Sequence, residues 1–329
     1  MKKILLSVLV LVPVVFFLWN KHASKTGLNP KAVEFKMPTG GDFQIPSTLG
    51  LFNSSDKKGK VLFVFFGFAL CPHICPMTLT NLDRMIQSLP ADNQNKVEVL
   101  FISIDPERDT LESLQKHLNN FKSPMVAATD THENLKAITA LFGARYSRIR
   151  TGSSFFVDHT SQVFVINSRG EWVETLDYNV PAEEYRQALE TADDKKPLAE
   201  RQISLKNVSL LGENLNCDLA SQTFCEISTI QNTYRIEMTP QPVQEAQPTT
   251  VTVHIKNSIS TPLLLDFEGV EQDMGFIRPV LTGSGNTYQT SFELPVCELS
   301  EMQWRVRLVL ESQNRERAAL QFYMKTKRQ

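Results

Sequence analysis

The residues best equipped for chemistry sit together in Cys71-Pro72-His73-Ile74-Cys75-Pro76. A spacing of four brings the two sulfurs within reach of one metal ion or of one disulfide. The run before them, KVLFVFF at 60–66, is apolar throughout, as a strand covered on both faces is. The run after them has helical spacing at Leu79, Leu82, Met85, Ile86 and Leu89, which predicts a helix over 76–89. The cysteines therefore mark a strand-to-helix turn. A helix N-terminus offers unpaired N–H groups and a partial positive charge, and both stabilise a thiolate. Pro76 can open the helix without wasting a donor. Two thiolates select a soft cation such as copper, whereas zinc asks for a fuller tetrahedral set to which His73 could contribute. The same pair could instead cycle between dithiol and disulfide.

Such a turn needs a sheet beneath it. Strands are predicted over 42–46, 60–66, 97–104 (VEVLFISI) and 125–128. Helices are predicted over 76–89, over 111–121 with Asp109 or Thr110 as N-cap, and over 131–142 with Thr131 as cap and Gly143 just past the end. A hairpin joins 162–167 to 171–176 across Ser168-Arg169-Gly170, and a last helix spans 181–192 with Pro181 at its first position. The order β-α-β-α-β-α-β-β-α, closed by an antiparallel hairpin, predicts an α/β thioredoxin-like domain over 41–193.

Four segments act together here: Phe66-Gly67-Phe68, Cys71-Pro72-x-x-Cys75-Pro76, Asp105-Pro106-Glu107-Arg108-Asp109-Thr110, and Asp158-His159-Thr160 ahead of a hairpin strand. With them the chain resembles the SCO/SenC family over residues 35–192. That resemblance implies a membrane-anchored copper protein of thioredoxin fold that helps to assemble the CuA centre of cytochrome c oxidase. It makes Cys71, Cys75 and His159 the counterparts of copper ligands, with Asp158 and the Asp105–Asp109 segment in support. The residue types agree, since a neutral imidazole suits copper beside two thiolates and Cu(I) tolerates low coordination. Two positions depart from the family: His73 stands where an acidic residue is usual, and Leu70 where an aromatic or histidine is common. His73 either ligates, tunes the thiolates or faces water. Against a general thioredoxin-type reductase, three residues rather than two separate the cysteines, and 151–165 lacks the proline that faces a thioredoxin disulfide. His22, His117, His132 and His254 read as structural or solvated.

At Asp193-Asp194-Lys195-Lys196-Pro197 the composition shifts, marking a domain boundary. Beyond it, short alternating strands at 203–210, 233–238, 249–256, 262–267, 276–281, 288–294, 303–310 and 318–324 predict an all-β, sandwich-like domain over 198–329. A turn is expected at Thr282-Gly283-Ser284-Gly285-Asn286. Cys217 and Cys225, eight apart around a polar loop, predict a local disulfide in an oxidising compartment. Cys297 is left single near Met302 and Trp304, and Met274 follows an acidic stretch of Asp266, Glu268, Glu271 and Asp273. Thioether and thiolate are soft ligands, but scattered single residues read more simply as a packed methionine and a buried cysteine. This domain is expected to dock a client or a partner chaperone.

The whole composition excludes other classes. A chain of 329 residues fits two domains, and 42% hydrophobic with 21% charged residues argues against wholesale disorder. Lys+Arg total 34 against 36 Asp+Glu, so no positive excess exists to neutralise nucleic-acid phosphates. Lys2 and Lys3 precede an apolar run over 4–19 broken only by Ser7 and Pro13, the pattern of an export signal. No A-x-A-like cleavage site follows, and Trp19 suits a membrane interface, which favours an uncleaved anchor over 1–20. Residues 21–40, polar with Pro30 and Pro38, read as a tether. The expected location is a bacterial inner membrane with the domains facing the periplasm. The expected function is a copper metallochaperone serving the oxidase subunit that carries CuA, with other copper chaperones as further partners. The alternative is an extracytoplasmic thiol–disulfide oxidoreductase acting on partner cysteines.

Overall fold

The structure, a computed structural model, describes residues 32–327 apart from 34, 36, 152–153, 202, 204, 206, 220–221, 230–231, 257–259, 273, 276 and 296–298. The expected anchor over 1–20, His22, Asp273 and Cys297 lie outside the described residues. Among the described residues no helix is long and apolar enough to cross a membrane.

In the first half, the strands are β1 (Ala32–Val33), β2 (Gln44–Ser47), β3 (Gly50–Asn53), β4 (Val61–Gly67), β5 (Val97–Ser103), β6 (Val126–Ala128), β7 (Tyr146–Thr151), β8 (Ser154–His159), β9 (Val163–Ile166) and β10 (Trp172–Leu176). The helices are α1 (Ile74–Ser88), α2 (Ala91–Gln94), α3 (Leu111–Leu118), α4 (His132–Leu141), α5 (Ala182–Thr191) and α6 (Leu198–Arg201). Seven strands make one sheet in the order β10-β9-β4-β5-β6-β2-β3. β4 runs parallel to β5 and antiparallel to β9, and β10 is antiparallel to β9. That is the thioredoxin arrangement: the parallel strands β4, β5 and β6 at the centre, closed on the β4 side by an antiparallel hairpin. Every residue of β4 is buried, which is why its sequence is apolar without alternation.

The second half is β throughout, with β11 (Val208–Asp218), β12 (Phe224–Ser228), β13 (Thr233–Thr239), β14 (Pro248–Lys256), β15 (Ser260–Gly269), β16 (Thr282–Ser284), β17 (Thr287–Glu293), β18 (Glu301–Ser312) and β19 (Arg317–Lys327). They form two five-stranded sheets, β1-β11-β19-β18-β15 and β12-β13-β14-β17-β16. Tyr234, Ile236, Val251 and Val253 of one sheet share a core with Leu265, Phe267, Trp304, Val306 and Phe322 of the other. The alternating burial of β13 and β14 reflects one face toward that core and one toward water.

Several elements differ from expectation. The tether's last residues are not free: Ala32 and Val33 pair with β11, and Phe35 packs with Leu205, Val208, Leu264, Val309 and Ala319. The apolar side chains of a polar stretch give it a seat. The strand expected at 276–281 reduces to single bridges, Phe267 to Ile277 and Leu264 to Val280. The expected turn at 282–286 tightens onto Gly285, whose φ of +62° suits glycine, and Thr282–Ser284 pairs as β16. The strand expected over 203–210 instead runs over Val208–Asp218, and its next-to-last residue, Cys217, is disulfide-bonded to Cys225 of β12. The helix expected to end at Phe121 stops at Leu118, with a capping box between Thr110 and Ser113 at its start.

Candidate metal centre

β4 delivers the chain to the site and ends on Gly67. A Cβ at Gly67 would lie 2.6 Å from Cys75 Sγ and 2.8 Å from the Phe101 ring, so only glycine lets the sulfur pack against the strand end. The following helix begins two residues earlier than expected, at Ile74, with His73 as its N-cap. Cys75 is thus inside the first turn of α1 and Cys71 in the loop before it. Pro76 also lies in this turn, where backbone N–H groups have no intrahelical acceptor. The helix is pinned from its side: Thr78 Oγ1 donates to the Tyr178 carbonyl at 3.2 Å, and Asn81 Nδ2 to the Val180 carbonyl at 3.1 Å.

His159 comes from far along the chain, as the last residue of β8. The β7–β8 hairpin that carries it is a separate two-stranded sheet, which sequence reasoning missed. Its signal was available in the turn-forming Gly152-Ser153 between two runs of strand-forming residues. The structure brings Cys71, Cys75 and His159 together, with one ligand atom from each lying within 4.8 Å of the others. Cys75 is fully buried, Cys71 is 8% exposed, and both are free thiols. His159 Nδ1 sits 2.8 Å from the Thr160 carbonyl. A carbonyl only accepts, so Nδ1 carries a proton there. The imidazole edge also meets the Phe68 ring, with centroids 5.8 Å apart.

The two thiols are unequal. Cys71 is pulled down to about 3, chiefly because Cys75 donates a hydrogen bond to its sulfur; His159 adds a second bond, and burial opposes both. Cys75 is pushed up, because its proton is held in that bond and because it is buried beside a negative sulfur. The pair is a thiolate–thiol couple with one proton between two sulfurs.

The Asp105–Asp109 segment supports this loop. Asp109 accepts from the Ala69 N–H at 2.9 Å and from Ser103 Oγ at 2.5 Å, tying the cysteine loop to β5. Sequence offered Asp109 as a cap for α3; that role falls to Thr110, and the carboxylate is spent on the site instead. Asp105 is buried against the Arg108 guanidinium, and burial raises it above the ordinary carboxylate range. Arg108 in turn lies over the Phe155 ring at 4.1 Å. Asp158 pairs with Arg145 at 3.5 Å. His73 is exposed and does not belong to the three-residue cluster. Leu70 is also exposed, beside Cys71. His117 has a more apolar setting than expected: it lies between Phe101 and Phe121, and its Nε2 is buried without a hydrogen bond. His132 stacks on Tyr146 and pairs with Glu107, away from the sulfurs. In the second half, Met274 and Met302 are buried core residues.

A thioredoxin-like sheet whose first helix and distal hairpin converge two sulfurs and one ring nitrogen defines a class of thiol-based metal-binding or redox proteins. The chain belongs to the SCO1/SenC family, whose sequence profile matches residues 31–193. A SCO2-like protein of Rickettsia felis is 32% identical over 146 residues, 43% of this chain and 70% of the relative. A SCO2-like protein of Rickettsia prowazekii is 29% identical over 189 residues, 55% of this chain and 91% of the relative. Among solved structures, Bradyrhizobium japonicum ScoI with copper bound is 25% identical, with a TM-score of 0.43 over 46% of this chain and 97% of that one.

Proposed function

We propose that this protein is a copper metallochaperone that holds one copper ion through Cys71, Cys75 and His159 and passes it to the CuA site of a cytochrome c oxidase subunit. The convergence of these three donors within 4.8 Å carries the reading. Two sulfurs and an imidazole suit Cu(I), and three donors leave the ion open to an incoming ligand. Transfer would proceed by exchange: client thiolates displace the domain's ligands one at a time. Family membership supports oxidase assembly as the setting. The apolar run over 4–19 supports attachment to a bacterial inner membrane, with the working domains in the periplasm. Residues 41–193 would act as the copper domain and 198–329 as a second domain. Replacing His159 with Ala tests the ligand set. Copper retention against a Cu(I) chelator should fall by at least about tenfold while the circular dichroism spectrum is unchanged. A variant that holds copper as tightly as the parent removes His159 from the site.

A second reading, thiol–disulfide exchange on partner cysteines, draws support from the depressed Cys71 thiol beside a buried Cys75. Catalytic reduction of insulin disulfides, insensitive to loss of His159, would favour it over copper delivery.

A further inference from the structure

One turn of the second half of the chain lies beside Arg145, next to the strand that ends on His159. Gly275 has a φ of +73°, and a Cβ there would lie 3.2 Å from the Gly143 carbonyl oxygen, 3.3 Å from Arg145 Cδ and 3.4 Å from Arg145 Cβ. The neighbouring Met274 is 2% exposed in the core between the two five-stranded sheets, so the turn is anchored behind as it presses forward. Arg145 is the residue it meets, and Arg145 grips both neighbours of His159. Its N–H donates to Thr160 Oγ1 at 3.1 Å, and its carbonyl accepts from the Thr160 N–H at 3.0 Å. Its guanidinium reaches Asp158 at 3.5 Å. The next residue, Tyr146, is the strand partner of His159 itself.

We infer that the Met274–Gly275 turn is a positioning contact for His159, acting through Arg145 and the Asp158 and Thr160 backbone and side-chain bonds. The inference rests on the copper reading above. The contact is sensitive to small displacements, because the stem of Arg145 lies beside the turn while its guanidinium reaches Asp158. With the turn seated, the arginine cannot swing away from Asp158, and the segment 158–160 keeps the imidazole toward the sulfurs. The second half is then a working part of the metal centre.

The test uses the full chain. Copper retention is measured by competition with a Cu(I) chelator, and the Cu(II)-loaded form is examined for nitrogen hyperfine coupling in its electron paramagnetic resonance spectrum. Gly275→Val should weaken retention by about tenfold and alter the nitrogen coupling, the scale expected when a group orienting a ligand is lost. His159→Ala should weaken it at least as much, and the double variant should be no weaker than His159→Ala alone. Gly275→Ala and Arg145→Ala should show the same non-additivity, and they carry the test if the valine variant does not fold. Gly275 and Arg145 variants that retain copper like the parent, while His159→Ala loses it, overturn the inference alone. Losses that simply add in the double variant overturn it too. A His159→Ala chain that keeps its copper overturns the copper reading and the inference with it.

Discussion

At the scale of single residues, the site is decided by which sulfur holds the proton. Cys71, at about 3, receives hydrogen bonds from Cys75 and His159, and those two bonds outweigh its burial. Cys75 is raised for the complementary reason. A group held below its ordinary value is ionised at every pH above the lowered value, so Cys71 stays a thiolate across the neutral and mildly acid range. Alkylation by iodoacetamide reports this directly, and Cys71 is the one of the pair with any exposed surface. Its rate should stay flat from about pH 8 to about pH 5, where an ordinary thiol slows by about tenfold per unit. Cys75→Ala removes the main donor and should restore much of that slope. A parent protein whose Cys71 slows tenfold per unit over this window would contradict the thiolate–thiol couple. The choice of glycine at 67 belongs to the same argument, since the first atom of any side chain there would come within 2.6 Å of the Cys75 sulfur.

At the scale of elements, two adjacent residues at the start of α3 have different work. Thr110 Oγ1 accepts from the Ser113 N–H at 3.1 Å, and Ser113 Oγ from the Thr110 N–H at 2.9 Å, both on the surface. Thr110→Ala should cost about 1 kcal/mol of stability and leave copper retention unchanged. Asp109→Ala strands the Ala69 N–H and the Ser103 hydroxyl, costs about 1–3 kcal/mol, and frees the loop that carries Cys71. Copper retention should therefore fall with Asp109 and not with Thr110, as read by urea unfolding and chelator competition on both variants. Equal behaviour of the two would separate Asp109 from the site. The sequence displayed the elements whose burial is simple: β4 and β5 are apolar because they are covered, and α1 and α4 show helical spacing. It also displayed all three candidate donors, because two share one turn and the third sits in a distinctive Asp-His-Thr. It hid the β7–β8 hairpin, whose strands pair only with each other and so lack the all-apolar run of a central strand. It hid the latter part of β11, where Gly212, Glu213 and Asn214 break the alternation even as the backbone pairs with β19. Asp109 was visible as a residue but not as a tie, since its partner Ala69 lies 40 positions away.

At the scale of the whole molecule, the two halves are joined by chain that precedes the first. Phe35 lies on the outer face of the five-stranded sheet that includes β15, β18 and β19, its ring 5.2 Å from the Arg307 guanidinium and 5.9 Å from that of Arg278. Beneath it runs a charged network. Asp266 accepts from Arg278 Nε at 2.5 Å and from Arg307 Nη1 at 2.8 Å, while Arg307 also reaches Glu268 at 2.6 Å and Gln321 at 3.2 Å. Asp266 is 2% exposed and Arg307 6%, so these charges are tolerable only together. One carboxylate between two guanidiniums is the least replaceable member, because its removal takes a negative partner from both the half-buried Arg278 and the buried Arg307 at once. Asp266→Ala should therefore destabilise the chain by about 3–5 kcal/mol in urea unfolding, the cost of breaking a buried pair from one side. Asp266→Asn, which keeps the acceptor oxygen but not the charge, should fall between that variant and the parent. The network is assembled from β15, β18, β19 and Arg278 beyond β15, none of which supplies a copper donor. Each folded variant should thus still take up one copper per chain, measured by metal analysis below its unfolding transition. An Asp266→Ala chain as stable as the parent would mean that Glu268 supplies enough negative charge for the arginines, and that the seat of Phe35 rests on apolar packing instead of charge.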